Sequence, residues 1–242
     1  MKYKDYYNDD YVLDFSDKLY CVMPAFDKEG FSHALAGRLD DKELFARLDC
    51  TADALQKNMP GNYAQKIEAF LNMLGPELAQ PEGMFQLGWW LWPVGRYVER
   101  YGNEDWRLSL SFLKELTKRF TGEFAIRPLL RAHPGEVMDE LIKWTADENV
   151  HVRRLASEGV RIRLPWSQKL LTALEEFERY TILLTNLKDD PERFVQKSVG
   201  NNLNDLYKEA PQKADFLIAQ WEKSGQSKAQ QWIIKHGRRN QK

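Results

Sequence analysis

The chain has 242 residues and a net charge of −1, with 43 % hydrophobic and 29 % charged residues. That is apolar material for one sizeable core or a stack of short repeats. No run of roughly 18 apolar residues occurs, so neither a membrane-spanning helix nor a membrane partner is expected, and near-neutral charge argues against a uniformly basic nucleic-acid binder.

The opening MKYKDYYNDD lacks an apolar signal core, so the expected location is the cytoplasm, the bacterial cytosol with its nucleoid. Residues 1 to about 40 are weakly periodic and read as a less regular leader or as a first helix pair. Cys21 and Cys50 are too few for a disulfide framework or a metal site and are read as buried thiols. Tyr63, Ile67, Phe70, Leu71 and Leu74 follow helical spacing until Gly75-Pro76 stops the run. Leu108, Phe112, Leu113, Leu116 and Phe120 make a second stripe. Val137, Met138, Leu141 and Ile142 make a third, after the His133-Pro134-Gly135 break. Leu170, Leu171, Leu174, Phe177 and Leu184 make a fourth. No Asn-Gly or Asp-Gly hairpin turn separates alternating apolar runs, so an all-α chain is expected. Trp89, Trp90, Trp92, Trp106, Trp144, Trp221 and Trp232 are assigned to the core by default.

The sequence also repeats itself. DENVHVRRLASEG begins at Asp147 and DPERFVQKSVGNN at Asp190, 43 residues later, and Val152 and Val195 keep the same offset. An Asp, then Val five residues on, then a basic residue is the pattern of a HEAT-type helical repeat, whose period is about 40–47 residues. Each Asp is expected to cap a helix, with Pro191 in the first helical position. WIIKHGRR (232–239) is a candidate third, degenerate copy. The expected fold is an α-solenoid of HEAT-like repeats, one domain over 1–242, with a concave face.

Within the repeats, Arg154, Glu158 and Arg161 share one helix face, as do Lys197, Asn201 and Asn204 at the same 43-residue offset. Regular stacking would make these stripes neighbours, with Asp205 extending the second and Val152 and Val195 turned into the stack. Arg153, Arg154, Arg161, Arg163 and Lys197 are candidate phosphate contacts, with Arg127, Arg131, Arg238 and Arg239 as further cations. The plain alternative is a solvated surface carrying an i,i+4 pair of small energetic weight. Against it, four Asn/Asp residues among 201–205 disfavour helix, and such local conflict often marks a functional site.

RRLASEGVRIRLPW (153–166) resembles the signature of the AlkC branch of the AlkC/AlkD DNA-alkylation repair superfamily. TKRFTGEFAIRPLL (117–130) and KSVGNNLND (197–205) resemble its flanking motifs in order and spacing, so the likeness covers about residues 110–240. Ile162 stands where the family usually has proline, which would relax the loop after the helix. The resemblance implies monofunctional removal of N-alkylated bases, notably 3-methyladenine and also 3-methylcytosine, from double-stranded DNA. It places the acidic and aromatic site residues at Glu123, Glu158, Trp166 and Asp205. Some relatives add an immunoglobulin-like domain after the repeats; this chain, ending at Lys242, is expected to belong to a branch lacking it.

The chemistry is consistent with those residue types. An N3-alkylated adenine already carries positive charge and departs neutral, so what remains is an oxocarbenium-like sugar and an attacking water. A carboxylate beside the sugar stabilises the cation and positions or deprotonates the water. Asp205 and Glu123 are the candidates, with Asp205 ahead because no basic partner lies at i±4. Glu158 is expected either to organise the basic wall or to touch the lesion. Trp166, after Leu164-Pro165, offers an indole to a cationic base, an attraction that a neutral base lacks. Base flipping and bending of the duplex both stay open. There is no P-loop and no dinucleotide glycine fingerprint, and His33, His133, His151 and His236 show no metal-ligand spacing, so no cofactor and no metal are expected. A monomer is expected. A non-catalytic module binding damaged DNA and a protein–protein scaffold are the competing readings.

Overall fold

The computed structural model describes residues 2–223, 225 and 227–241, and every regular element among them is helical. The chain forms two compact units, Met1–Ala125 and Ile126–Lys242. The first holds α1 (Asp9–Val22), α2 (Lys28–Leu35), α3 (Leu44–Asn58), α4 (Tyr63–Met73), the single turn α5 (Met84–Leu87), α6 (Trp92–Tyr101) and α7 (Trp106–Thr117). The second holds α8 (Ile126–Ala132), α9 (Pro134–Trp144), α10 (Val150–Gly159), the single turn α11 (Thr172–Glu175), α12 (Phe177–Leu187), α13 (Arg193–Glu209), α14 (Pro211–Glu222) and α15 (Lys228–Gly237).

Local chemistry explains the ends of these helices. The Asn8 side chain accepts the Tyr11 N–H, and Asp9 and Asp10 complement the free amides of the first turn of α1. Tyr11, Val12, Phe15 and Leu19 then form its buried face, so the segment left open between a leader and a helix pair is the pair α1/α2. Asn62 and Gln65 make a reciprocal capping box at the start of α4, and Gly75 at φ 73° follows its end. The fourth sequence stripe is two helices, because Glu176 at φ −99°, ψ 42° breaks the ladder between α11 and α12.

Three expectations change. Cys21 is exposed and Cys50 only half-buried, because Cys21 lies outside the Tyr11/Val12/Phe15/Leu19 stripe. Trp92, Trp144 and Trp221 are core residues, whereas Trp89, Trp90, Trp106 and Trp232 are half-buried. The repeat aspartates sit just before the caps: Asp147 Oδ1 accepts the Asn149 N–H and Asp190 Oδ1 accepts the Glu192 N–H, each at 2.9 Å. Asn149 and Glu192 are the N-cap residues, so Pro191 precedes its helix.

In the second unit α13 packs against both α10 and α15, and α9 packs against α10 and α12. Val152 and Val195 are fully buried, as the repeat pattern requires. α13 and α15 approach closely: a Cβ on Gly237 would stand 2.7 Å from Leu203 Cβ, and one on Gly200 would stand 2.8 Å from the His236 ring. The degenerate third copy thus lies on a helix seated tightly against the second.

Candidate functional site

Where α10 meets α13, buried polar side chains bond one another. Ser157 and Ser198 hydroxyls meet at 2.7 Å, and Ser198 Oγ donates to Glu158 Oε2 at 2.6 Å. Asn202 Nδ2 donates to the carbonyls of Ser157 (2.8 Å) and Ser198 (3.0 Å), while its Oδ1 accepts from Tyr180 Oη on α12. Asn202, Asn204 and Asp205 are all buried. The Asn/Asp run is therefore an internal seam and not a solvated face, with packing across the helices overriding poor helix propensity.

Arg161 lies just after α10 and joins two carboxylates. Its Nη1 donates to Glu158 Oε1 at 2.8 Å, and its Nε donates to Asp205 Oδ2 at 3.0 Å. Asp205 Oδ2 also accepts the Arg163 N–H at 3.2 Å, whereas Oδ1 receives only the longer 3.4 Å contact from Arg161 Nη2. Burial pushes the Asp205 carboxyl up from 3.8, a rise that Arg161 and the Arg163 amide only partly oppose. Burial would raise Glu158 too, but Arg154, Arg161 and the Ser198 hydroxyl outweigh it and hold that carboxyl below 4.5. Asp205 has no basic partner at i±4, where Asn201 and Glu209 stand, but one reaches it from across the helix pair, 44 residues away.

The loop after α10 presents an aromatic ring. Ser167 N–H donates to Leu164 O at 3.2 Å, closing a turn with Pro165 and Trp166 at its centre. Proline fixes the first central residue, and Trp166 takes φ 62°, the left-handed conformation that a type II turn gives to glycine. It is the one non-glycine residue at positive φ among the described residues, and it is 65 % exposed. A bulky exposed side chain held in strained backbone points to use rather than packing. Ile162, at the position where proline was expected, is fully buried, and its carbonyl accepts the Leu170 N–H.

Arg127 on α8 holds both flanks of that turn. Its Nη1 donates to Arg161 O at 2.7 Å and its Nη2 to Gln168 O at 2.5 Å. Arg127 is 1 % exposed, so it fixes the loop from inside and cannot reach a phosphate as its place among the candidate cations suggested.

The remaining candidates divide by exposure. Arg153 is tied to Asp190 at 2.7 Å and to the carbonyls of Asp147 and Glu148. Arg154 is buried beside Glu158 and over the Phe194 ring. Arg153, Arg154 and Arg161 thus serve internal carboxylates, because the stripes meet face to face instead of lining an open wall. Arg163 and Lys197 are exposed, and Arg163 pairs with Glu209. Glu123 belongs to the first unit, is buried, and accepts from Thr121 Oγ1 at 2.9 Å while its own N–H donates back to that hydroxyl at 3.1 Å. Among the described residues no group of three or more His, Cys, Asp or Glu can hold a metal ion, and no helix is long and apolar enough to cross a membrane.

Sequence reasoning missed Ser157 and Ser198, and took Asn202 only as one of the Asn/Asp run. Their types carry no catalytic signal, and only the 41-residue pairing of the two serines, close to the repeat period, hinted at a seam.

The chain is similar to two proteins along nearly its whole length. One is the uncharacterized protein YhaZ of Bacillus subtilis (strain 168), 32 % identical over 239 residues, which are 98 % of this chain and 63 % of that protein. The other is the alkylpurine DNA glycosylase AlkC of Pseudomonas fluorescens, whose structure is bound to DNA containing an abasic site analog. It matches with a TM-score of 0.85 and 30 % identity over 99 % of this chain and 64 % of that one. This chain therefore spans somewhat under two thirds of the length of each, and it shares the helical-repeat fold of the solved relative. The model of the DNA alkylation repair enzyme family matches residues 100–239, more than half of the sequence and inclusive of the Arg161 network and the Trp166 turn; the chain belongs to that family.

Proposed function

We propose that this protein repairs alkylated DNA as a monofunctional glycosylase, hydrolysing the N-glycosidic bond of cationic N-alkylated bases such as 3-methyladenine, and also 3-methylcytosine, in duplex DNA as a step of base excision repair. The observation that carries this reading is that the loop presenting an exposed indole in a strained turn also bonds, through the Arg163 N–H, a buried α13 carboxylate with a raised pKa. The similarity to a glycosylase solved on abasic DNA supports it.

On this reading the C1′–N bond breaks and the base leaves neutral, taking the electron pair that cancels its charge. Asp205 faces the positive sugar, and water adds to C1′ and gives up one proton to the Asp205 carboxylate. Oδ1 of Asp205, with the weaker of its internal contacts, is the oxygen that holds the water. Trp166 selects the cationic base by cation–π attraction. Arg163 and Lys197, the exposed members of the basic set, contact phosphates. Glu123 is the alternative carboxylate. The protein acts as a cytoplasmic monomer without cofactor.

One observation favours a second reading, a module that binds damaged DNA without cutting a bond: Asp205 is only 2 % exposed and is ion-paired to Arg161. Incubating the protein with N-methylated duplex DNA and measuring released base by chromatography separates the two. Release of 3-methyladenine supports the glycosylase; salt-sensitive binding without release supports the module.

A further inference from the structure

The cations that the internal carboxylates leave over gather elsewhere. Lys197 lies one turn before Asn201 on α13. Asn201 Oδ1 is shared by His236 Nε2 on α15 and by Arg239 Nη2 just beyond it, each at 3.1 Å. The His236 ring is stacked on Trp232, with centroids 4.8 Å apart and planes 8° from parallel, and the Arg193 guanidinium lies over the same indole at 4.0 Å. Lys197, Arg193 and Arg239 are exposed, His236 is half-buried, and none of the four makes an ion pair among the described residues. This differs from Arg153, Arg154, Arg161 and Arg163, each of which has a carboxylate partner.

Asn201 Oδ1 can only accept. The neutral His236 ring therefore carries its hydrogen on Nε2, and a second proton would go to Nδ1. Gly200 makes the arrangement possible, since any Cβ there would strike the His236 ring.

We propose that Lys197, His236 and Arg239 form a binding site for the phosphodiester backbone of DNA, in which His236 takes up a proton at Nδ1 as the phosphate enters. The proposal rests on the DNA-repair reading for the choice of anion. Geometry supplies the cluster: the His236 and Arg239 donors converge on one side-chain oxygen of α13, Lys197 stands one turn away on the same helix, and no carboxylate is ion-paired to any of them among the described residues, Asp205 acting on Arg239 only at longer range. Electrostatics supplies the proton coupling. Burial lowers the His236 pKa from 6.5, and Arg239, Lys197 and Arg161 lower it further. No charge opposes them from its own helix, where its stacked neighbour is the uncharged Trp232. A phosphate placed among these cations reverses the balance and favours imidazolium. By linkage, affinity rises as pH falls from the pKa of the complex to that of the unliganded protein, by about tenfold for each unit between them.

The test is fluorescence-anisotropy titration of an undamaged labelled duplex with the full chain, between about pH 5 and about pH 8 at constant salt. The native chain should bind more tightly as pH falls. His236→Gln, which keeps a side-chain amide near Asn201, should bind like the native chain at high pH and show a flat profile. Lys197→Gln, on an exposed position that cannot undo the fold, should weaken binding at every pH and lower the salt slope by about one. It should also move the midpoint upward, since one cation restraining His236 is gone. A His236→Gln profile parallel to the native one, or an unmoved midpoint in Lys197→Gln, overturns the site. Base release from methylated duplex, measured alongside, keeps the two ideas apart. Release with no role for His236 leaves the glycosylase and removes the site. A His236-dependent profile without release leaves the site and removes the glycosylase. Absence of duplex binding removes both.

Discussion

Arg161 serves two buried carboxylates whose pKa values move in opposite directions, because cations outweigh burial at Glu158 and not at Asp205, and this asymmetry has consequences for pH. Asp205 titrates above 3.8, so the acid limb of kcat/KM should fall as pH drops through that raised value and should be absent from the residual activity of Asp205→Asn. Glu158 titrates below 4.5. A lowered folded-state pKa contributes stability above the unfolded value and loses it as pH falls through the folded one. Glu158→Gln should therefore melt lower than the native protein at neutral pH, and the gap should close as the pH is taken below 4.5 in a thermal-melt series; a constant gap would mean that the ion-pair network contributes nothing through Glu158. Trp166 tests recognition. Because its side chain is mostly exposed, Trp166→Ala should change stability by less than about 1 kcal/mol. Excision of cationic bases should nonetheless fall roughly tenfold, the value of a partly desolvated cation–π contact, and Trp166→Phe should recover part of it. At this scale the sequence disclosed the Leu164-Pro165-Trp166 turn, because proline constrains its neighbours in any context. It did not disclose the partner of Asp205, because a separation of 44 residues leaves no local trace.

The loop 160–170 is held at three points: the Leu164–Ser167 turn, the Ile162–Leu170 bond, and the Arg127 guanidinium beneath them. Arg127→Met would leave the carbonyls of Arg161 and Gln168 without their buried donor, at a cost of about 2–4 kcal/mol. Hydrogen exchange should show the Leu170 amide losing protection while amides in the centre of α13 keep theirs; equal loss in both would mean that Arg127 supports the whole unit and not the loop. The helices themselves were legible, since stripes such as Tyr63–Leu74 and Val137–Leu141 follow from the 3.6-residue period. Their starts were less so. Asp147 and Asp190 were read as caps, yet each bonds the amide two residues on and hands the cap to Asn149 or Glu192, because an Asx turn and an N-cap use the same residue types. The polar face of α13 was read as solvated or functional, and it is an internal seam. Period alone says that residues share a face, not what covers that face.

For the whole molecule, the 43-residue offset and the three family motifs identified an all-helical repeat protein, and the family match over residues 100–239 agrees. The repeat signal lay entirely in the second unit, whose α10, α13 and α15 are the helices that pack side by side. The first unit, Met1–Ala125, has no such signature, because its helices differ in length and carry their aromatic residues at unrelated spacings. The central claim is that this chain cleaves the glycosidic bond of a cationic alkylated base with a carboxylate of its own. The most direct measurement is the single-turnover rate of 3-methyladenine release from N-methylated duplex DNA by the native chain, Asp205→Asn and Glu123→Gln, each with its fold verified by circular dichroism. The native chain should release the base, and Asp205→Asn should lose about a hundredfold or more of that rate, with a smaller effect in Glu123→Gln. Undiminished release by both folded variants, or none by a native chain that still binds the duplex, would contradict it.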